Sequence, residues 1–431
     1  MVCCVLMSCS KLVGIQDYKG SDAGGLVMGD GGTDGSAPVP FCSVGIGRDP
    51  VCSSLAAGIG QTCVIAPDGL YCWGQALPSK SSDVNMPVLV TSSVPTQVES
   101  STSPDGFGAT FGTTCYLLGS DLMCWGNTEV AQVMELQKGT PVAPQQMSLG
   151  GAPISAFAVG GDHVAVTSGS SGVCWGATSA NQCDTGPGVG SANCNNLGTY
   201  CDTTPLPLGT NTGKIIVAGA AHTCVSPDGN EGVTCWGDDS FGQLGAFDAS
   251  IARVQLGSSS VSYLGVASAL ALGATHACAI ADPGGDTYCW GGNSFGELGT
   301  GSGTGEPQAF ATPVTLPANT HFVAIASGTN TICAIDQATN VWCWGADTQG
   351  IAGQAPVQGF SNKVAIPTIT MVTDAIAIAV GDEHACAMLD SGAIECWGDN
   401  QHGELGDGVS DHMVDGCIGD CSPQPVTVKG P

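Results

Sequence analysis

Basic residues are nearly missing from this chain. Its 431 residues hold 9 Lys plus Arg against 37 Asp plus Glu, a formal net charge of -28. Nucleic acid and anionic membranes are held mainly by Lys and Arg that neutralise phosphates, so neither fits as a partner. Charge of either sign is scarce, at 11% of residues, which leaves Ser, Thr, Asn and Gly to cover the surface in the manner of an extracellular β protein. No run of about eighteen apolar residues is present, so no membrane-spanning helix is expected. Catalytic signatures are missing too: there is no Gly-x-Ser-x-Gly elbow, no His-Glu-x-x-His and no phosphate-cradling Gly-x-x-x-x-Gly-Lys. Carboxylates are plentiful but form no distinctive pair. Asp30 and Asp34 lie among glycines without the closing Glu of a calcium loop, and the cysteines lack Cys-x2-Cys spacing, so neither calcium nor zinc is expected. No cofactor is expected either.

What the chain does have is a repeat. Cys-Trp-Gly recurs around Trp73, Trp125, Trp175, Trp236, Trp290, Trp344 and Trp397, at spacings of 52, 50, 61, 54, 54 and 53 residues. Seven units of about 50-60 residues point to a closed ring or solenoid. Within each unit an extended Pro-Val segment such as Thr312-Pro313-Val314 leads, followed by an apolar run such as Phe322-Val323-Ala324-Ile325-Ala326, a Gly, a Cys, a turn and Cys-Trp-Gly. These short, β-branched or small runs bounded by Gly, Pro, Asn and Asp read as strands, which gives an all-β ring.

Six cysteine pairs share one design: Cys63/Cys72, Cys115/Cys124, Cys224/Cys235, Cys278/Cys289, Cys333/Cys343 and Cys386/Cys396. A turn such as Pro67-Asp68-Gly69 between the two thiols places them on neighbouring antiparallel strands, within bridging distance. Disulfides follow in an oxidising compartment; free buried thiols are the alternative. By analogy within the chain, Cys42/Cys52, Cys194/Cys201 and Cys417/Cys421 are expected to bridge as well, which leaves Cys174 and Cys183 as an atypical pair or as free thiols. Ala165 stands where the partner of Cys174 would be.

The N-terminal run Leu6-Met7-Ser8-Cys9 resembles the lipobox of bacterial lipoproteins, with Cys9 as the lipidated residue. No Lys or Arg precedes its short apolar segment, so a plain export segment with its start upstream stays open. Residues 1-9 are then the remnant of a signal, and residues 10-41, rich in Gly and Asp, form a flexible tether. Residues 42-431 form one propeller. Its last Pro-Val segment, Gln424-Pro425-Val426-Thr427-Val428, has no repeat after it and is expected to close the ring by joining the blade of Cys63 and Cys72.

The unit resembles the repeat of the regulator of chromosome condensation family. The resemblance is carried by Gly219, His222, Cys224, Cys235-Trp236-Gly237 and Gly242-Gln243-Leu244-Gly245, with Gly273, His276, Cys278, Cys289-Trp290-Gly291 and Gly296-Glu297-Leu298-Gly299 close to it. It implies a seven-bladed β-propeller from about Val51 to Val428. After the Trp, Gln75-Ala76-Leu77, Asn127-Thr128-Glu129 and Ala177-Thr178-Ser179 depart from the family's Gly-Gln-Leu-Gly turn. The recurring His163, His222, His276 and His384 are expected to make structural hydrogen bonds, and the repeated Trp to pack between blades.

One insertion breaks the rhythm between Trp175 and Trp236. Its Asp184, Asn195, Asn196 and Tyr200 are the candidate binding residues, on a polar loop tied by cysteine. The expected function is a non-catalytic binding module, a monomer secreted or carried as a surface lipoprotein of a bacterium, holding a protein or glycan on its loops. The alternative is a secreted propeller hydrolase or lyase with a site in the central channel.

Overall fold

The computed structural model describes residues 54–430 apart from short stretches, the longest being 103–111, 127–142, 185–199, 247–258 and 354–362, with Val133 and residues 192–193 described inside two of these. Residues 1-9 with Cys9 and residues 10-41, expected to be a signal remnant and a tether, lie outside the described residues, as do Cys42, Cys52 and Cys194. Among the described residues every regular element is a strand, and no helix is long and apolar enough to cross a membrane.

The strands form seven antiparallel sheets in chain order, which are the blades of a propeller. The first strand of each blade touches the first strand of the next, from Ser54–Ala57 of blade 1 round to Ala375–Val380 of blade 7 and back to blade 1. These inner strands enclose the axis. There is no single core: each of seven apolar clusters spans two neighbouring blades and buries one repeat Trp, as Trp344 does between blades 5 and 6. A blade is two-faced, so neither face is covered until both neighbours are in place.

The glycine of Cys-Trp-Gly follows from this geometry. It has positive φ in every blade, from 94° at Gly291 to 118° at Gly126, and a Cβ there would overlap a carbonyl oxygen of the turn between the first two strands. That carbonyl is also an acceptor. Glu383 O, for example, takes the Asp399 N–H at 2.9 Å, so the third strand is tied to the turn that starts the second. Only Gly combines this backbone conformation with so close an approach.

Each cysteine pair of the common design sits at directly paired positions on the second and third strands, such as Cys63 opposite Cys72, and is bridged across a Cα–Cα distance of 4.1 Å. The same holds at Cys115–Cys124, Cys224–Cys235, Cys278–Cys289, Cys333–Cys343 and Cys386–Cys396. In blade 3, Ala165 pairs with Cys174, and Cys174 bonds instead to Cys183. Cys417–Cys421 is bridged, and Cys201 is disulfide-bonded.

Three expectations are corrected. The Pro-Val segment does not open a repeat; it is the outer strand of the preceding blade, as Gln308–Pro313 shows by pairing with Thr287–Gly291. Proline suits that place, since an edge strand with Pro87, Pro313, Pro367 or Pro425 offers no N–H there to another chain. For the same reason the C-terminal strand Cys421–Thr427 does not join the first blade. It pairs with Ile394–Asp399 in the last one, because blade 1 already has an outer strand, Val84–Thr91, and no vacant edge. The ring closes by side-on packing: Trp73 Nε1 donates to Glu404 O at 2.6 Å, Thr62 Oγ1 meets His384 Nε2 at 2.8 Å, and Val428 shares a cluster with Trp73 and Leu55.

The third correction concerns blade 3, whose post-Trp turn is present in disguise. Asn181-Gln182-Cys183-Asp184 superposes in role on Gly242-Gln243-Leu244-Gly245. Asn181 has φ 64° against 81° for Gly242, and Asp184 N donates to Asn181 O at 3.0 Å as Gly245 N does to Gly242 O. Trp236 Nε1 donates to Gln182 O, as Trp290 Nε1 does to Gln243 O. Asn tolerates the left-handed conformation better than other side chains, and Cys183 fills the Leu position while taking the sulfur of Cys174.

Candidate binding face

Antiparallel order sends the first-to-second and third-to-outer connections to one face, and the second-to-third hairpins to the other. The hairpins are mostly tight, such as Pro67-Asp68. The third-to-outer connections are long, including 178–199, 238–258, 292–307 and 400–420. The hairpin face also carries the connections from each outer strand to the next blade, none longer than the nine residues 147–155, so the longest loops all lie on the opposite, loop-bearing face. The fifth strand of blade 3, Ala192–Asn193, pairs with Tyr200–Pro207 at the outer edge beside the loop-bearing face.

The sequence-derived binding residues are not gathered into a described site. Asp184 ends the repeat turn, Tyr200 begins an outer strand, and Asn195 and Asn196 lie outside the described residues. The four histidines open the second strands and are buried. His163 Nε2 meets Thr223 Oγ1 at 2.6 Å, His276 Nε2 meets Ser327 Oγ at 2.9 Å, and His384 meets Thr62, so each reaches a hydroxyl of the next blade. His222 breaks the series. Leu272 and Ala277 occupy the two positions where other blades supply the hydroxyl, so neither His222 ring nitrogen has a side-chain partner. Burial, with His276 and His163 adding to it, lowers its pKa to about 3. Ala277→Thr would place a hydroxyl where Thr62 and Thr223 carry theirs. It is expected to raise stability by about 1 kcal/mol, the usual value of a buried hydrogen bond, read as a higher denaturant midpoint with unchanged slope.

A carboxylate group gathers where blades 6 and 7 adjoin. The blade 7 turn presents Asp382 and Glu383, and the third strand ends at Asp399. Thr348 Oγ1 donates to Glu383 Oε1 at 3.2 Å, and Gln349 Nε2 donates to Asp399 Oδ1 at 3.2 Å. Desolvation raises the pKa of all three carboxyls, with mutual repulsion adding at Glu383. Asp347, buried in the blade 6 turn, is raised to about 7 by desolvation. The sequence held a signal for this group: Asp382-Glu383 stands where the other turns carry pairs such as Ala220-Ala221 and Ala274-Thr275. Among the described residues no set of three metal-ligating side chains is placed to hold a metal.

Glu404 of blade 7 occupies the position of Gln243, and burial together with Asp399 raises its pKa to about 8. A carboxyl whose folded pKa is raised contributes stability that is present below its unfolded value, 4.5, and lost as pH climbs to about 8. In blade 4 the amide of Gln243 donates to Asp238 at 2.8 Å, and Asp399 is the counterpart of Asp238. Glu404→Gln is therefore expected to match the parent near pH 4 and to be more stable by on the order of 3 kcal/mol at pH 8, in paired urea titrations.

The inner strands enclose a cavity of about 50 Å³, lined among others by Glu99, Ala158, Val217, Leu272 and Ser327. At its end, Thr329 Oγ1 of blade 6 donates to Thr102 O of blade 2 at 2.7 Å, a bond that spans the mouth of the channel.

Comparison with known proteins agrees with this architecture. The regulator of chromosome condensation (RCC1) repeat matches at residues 284–335 and 375–404. The chain is 29% identical over 203 residues to the human E3 ubiquitin-protein ligase HERC2, covering 46% of this chain and 4% of that protein. It is 29% identical over 223 residues to the Ultraviolet-B receptor UVR8 of Arabidopsis thaliana, covering 50% and 46%. The matches thus span under half the length of either relative. Among solved structures, Prp20p from Saccharomyces cerevisiae, studied for its binding to Gsp1p and histones, superposes with a TM-score of 0.65 at 17% identity, over 90% of this chain and 87% of that one. At that identity the likeness speaks for the fold alone. The chain carries regulator of chromosome condensation repeats, arranged as one seven-bladed propeller.

Proposed function

We propose that this propeller is a non-catalytic binding module that holds a protein ligand on its loop-bearing face, in an oxidising compartment outside the cell. The observation that carries the reading is the asymmetry of the connections: seven near-uniform blades place their long, varied loops on one face and mostly short hairpins on the other. Uniform strands serve as scaffold, and varied loops held by a rigid scaffold are where recognition resides. The buried disulfides suit secretion or a surface tether through Cys9, and the bacterial lipobox resemblance fits that placement. The yeast propeller Prp20p, which shares this fold, was studied for its binding to Gsp1p and histones, an example of a protein held by such a scaffold. A glycan remains the second ligand class for the same loops. The hydrolase alternative has less support: among the described residues lining the channel cavity, Glu99 is the lone carboxylate, where glycoside hydrolysis uses two.

The test compares two chimeras, one with the loops 185–199 and 400–420 replaced by short Gly-Ser turns and one with the second-to-third hairpins replaced. Proteins from the native extracellular milieu that the parent captures should be lost with the first and kept with the second. The reverse pattern would refute the proposal, and turnover of a peptide or glycan by the pure protein would move it to the enzyme class.

A further inference from the structure

The described parts of the blade 7 connection, residues 400–412 and 417–420, are held by a dense set of hydrogen bonds. His412 lies between two carboxylates, Nε2 at 3.0 Å from Asp407 Oδ2 and Nδ1 at 2.9 Å from Asp420 Oδ1, so both ring nitrogens are engaged within the connection. Asn400 Nδ2 donates to Asp420 Oδ2 at 2.7 Å and to Val409 O at 3.1 Å. The Cys417–Cys421 bridge ties the end of the connection to the first residue of the outer strand, and Gln349 of blade 6 clamps it from the side, donating to Ile418 O at 3.0 Å and accepting from Ile418 N at 3.1 Å. All this bonding holds one apolar side chain out into solvent: Ile418 is 72% exposed, more than any other large hydrophobic residue among those described.

The same Gln349 also donates to Asp399, and its neighbour Thr348 donates to Glu383, so this connection adjoins the carboxylates of blades 6 and 7. Among the described residues no Lys or Arg pairs with Asp382, Glu383 or Asp399; nearby, Asp83, Asp407 and Asp420 meet histidine ring nitrogens. Burial and crowding already disfavour the charged forms of these carboxyls, so a cation brought against them would relieve an unfavourable field.

Resting on the reading of the loop-bearing face given above, we infer that the partner docks here, and that it is a protein segment with an apolar socket for Ile418 flanked by Lys or Arg for Asp382 and Glu383. A rigid anchor loses little freedom on binding, and a desolvated aliphatic contact ringed by complementary charge is the usual make-up of an interface centre. Charge complementarity selects the occupant. A second copy of this chain, with 9 basic residues against 37 acidic ones, would meet the site with like charge.

The test uses a fluorescent 18-residue helical peptide with a Leu face and a Lys face, beside an all-Lys peptide of equal charge. The parent should bind the Leu/Lys peptide at least tenfold tighter than the all-Lys one. Ile418→Asp should erase that preference, and the double variant Asp382→Asn/Glu383→Gln should weaken both peptides at least tenfold at low salt. Asp121→Asn and Asp390→Asn, on the hairpin face, should change neither. Matching melting curves establish that each variant is folded. Binding that stays on the loop-bearing face but ignores Ile418 overturns this inference alone. Loss on the hairpin-face variants instead overturns both this inference and the assignment of the face.

Discussion

Reduced in denaturant and then returned to native buffer without oxidant, this protein is expected not to refold. Seven bridges lie within single blades and close sequence separations of 9 to 11 residues. Chain entropy assigns each such loop about 2.7 kcal/mol, hence roughly 19 kcal/mol for seven, more than the 5 to 15 kcal/mol by which domains are usually stable. The native protein should nonetheless resist reductant. The sulfurs of the strand pairs are fully buried, and a reductant reaches them only through opening of the blade. Cys417 is the exception, since it is partly exposed, so Cys417–Cys421 should open first under mild reductant, with the far-UV spectrum unchanged. Alkylation with mass-spectrometric mapping checks both halves. A reduced chain that regains the parent's spectrum and midpoint would show that packing between blades suffices without the bridges.

Trp73→Ala is expected to cost about 4 kcal/mol, the range for deleting a large buried aromatic. It should also leave Glu404 O without the N–H it accepts at 2.6 Å. The same loss is expected for Trp344→Ala, which vacates the cluster between blades 5 and 6 and frees Glu297 O. The comparison carries the information. Trp73 lies in the seam that joins the last blade to the first, and that seam is built like the others. Gly406 packs against the Trp73 indole as Gly299 does against Trp344, and Gly403 meets the outer strand at Asn85 as Gly296 meets it at Ala365. Chevron analysis of the two variants should therefore give similar free-energy losses. A Trp73→Ala loss far below that of Trp344→Ala would mean that the closing seam is weaker than its contacts indicate.

Much of the fold was legible because its determinants are local and repeated. The Cys-Trp-Gly period, the paired cysteines and the short runs between Gly and Pro each depend on a few adjacent residues. Seven copies average away the ambiguity that a single strand would have. The hydrogen-bonding histidines were legible on the same ground, except at His222, where the missing partner belongs to another blade. Of the carboxylate group, only the acidic pair Asp382-Glu383 left a signal in the sequence, and its association with Asp399, Gln349 and Ile418 was not legible. Asp382-Glu383, Asp399, Gln349 and Ile418 come from three connections and one strand end of two blades, and nothing in the spacing between these segments relates them.

The sequence by itself determined the all-β class, the seven units and the positions of the bridging cysteines within a blade. Only the tertiary structure decided where one blade ends and the next begins. A repeat has no intrinsic first strand, so the Pro-Val segment reads equally well as the start of one unit or the end of another, and pairing across the sheet settles it. The C-terminal strand therefore belongs to blade 7, where an open edge awaited it, although its sequence looks like the opening of an eighth unit. Likewise, Asn181-Gln182-Cys183-Asp184 shares only Gln with the turn it replaces. Its equivalence rests on backbone conformation and on the carbonyl offered to Trp236, and neither is written in residue identity.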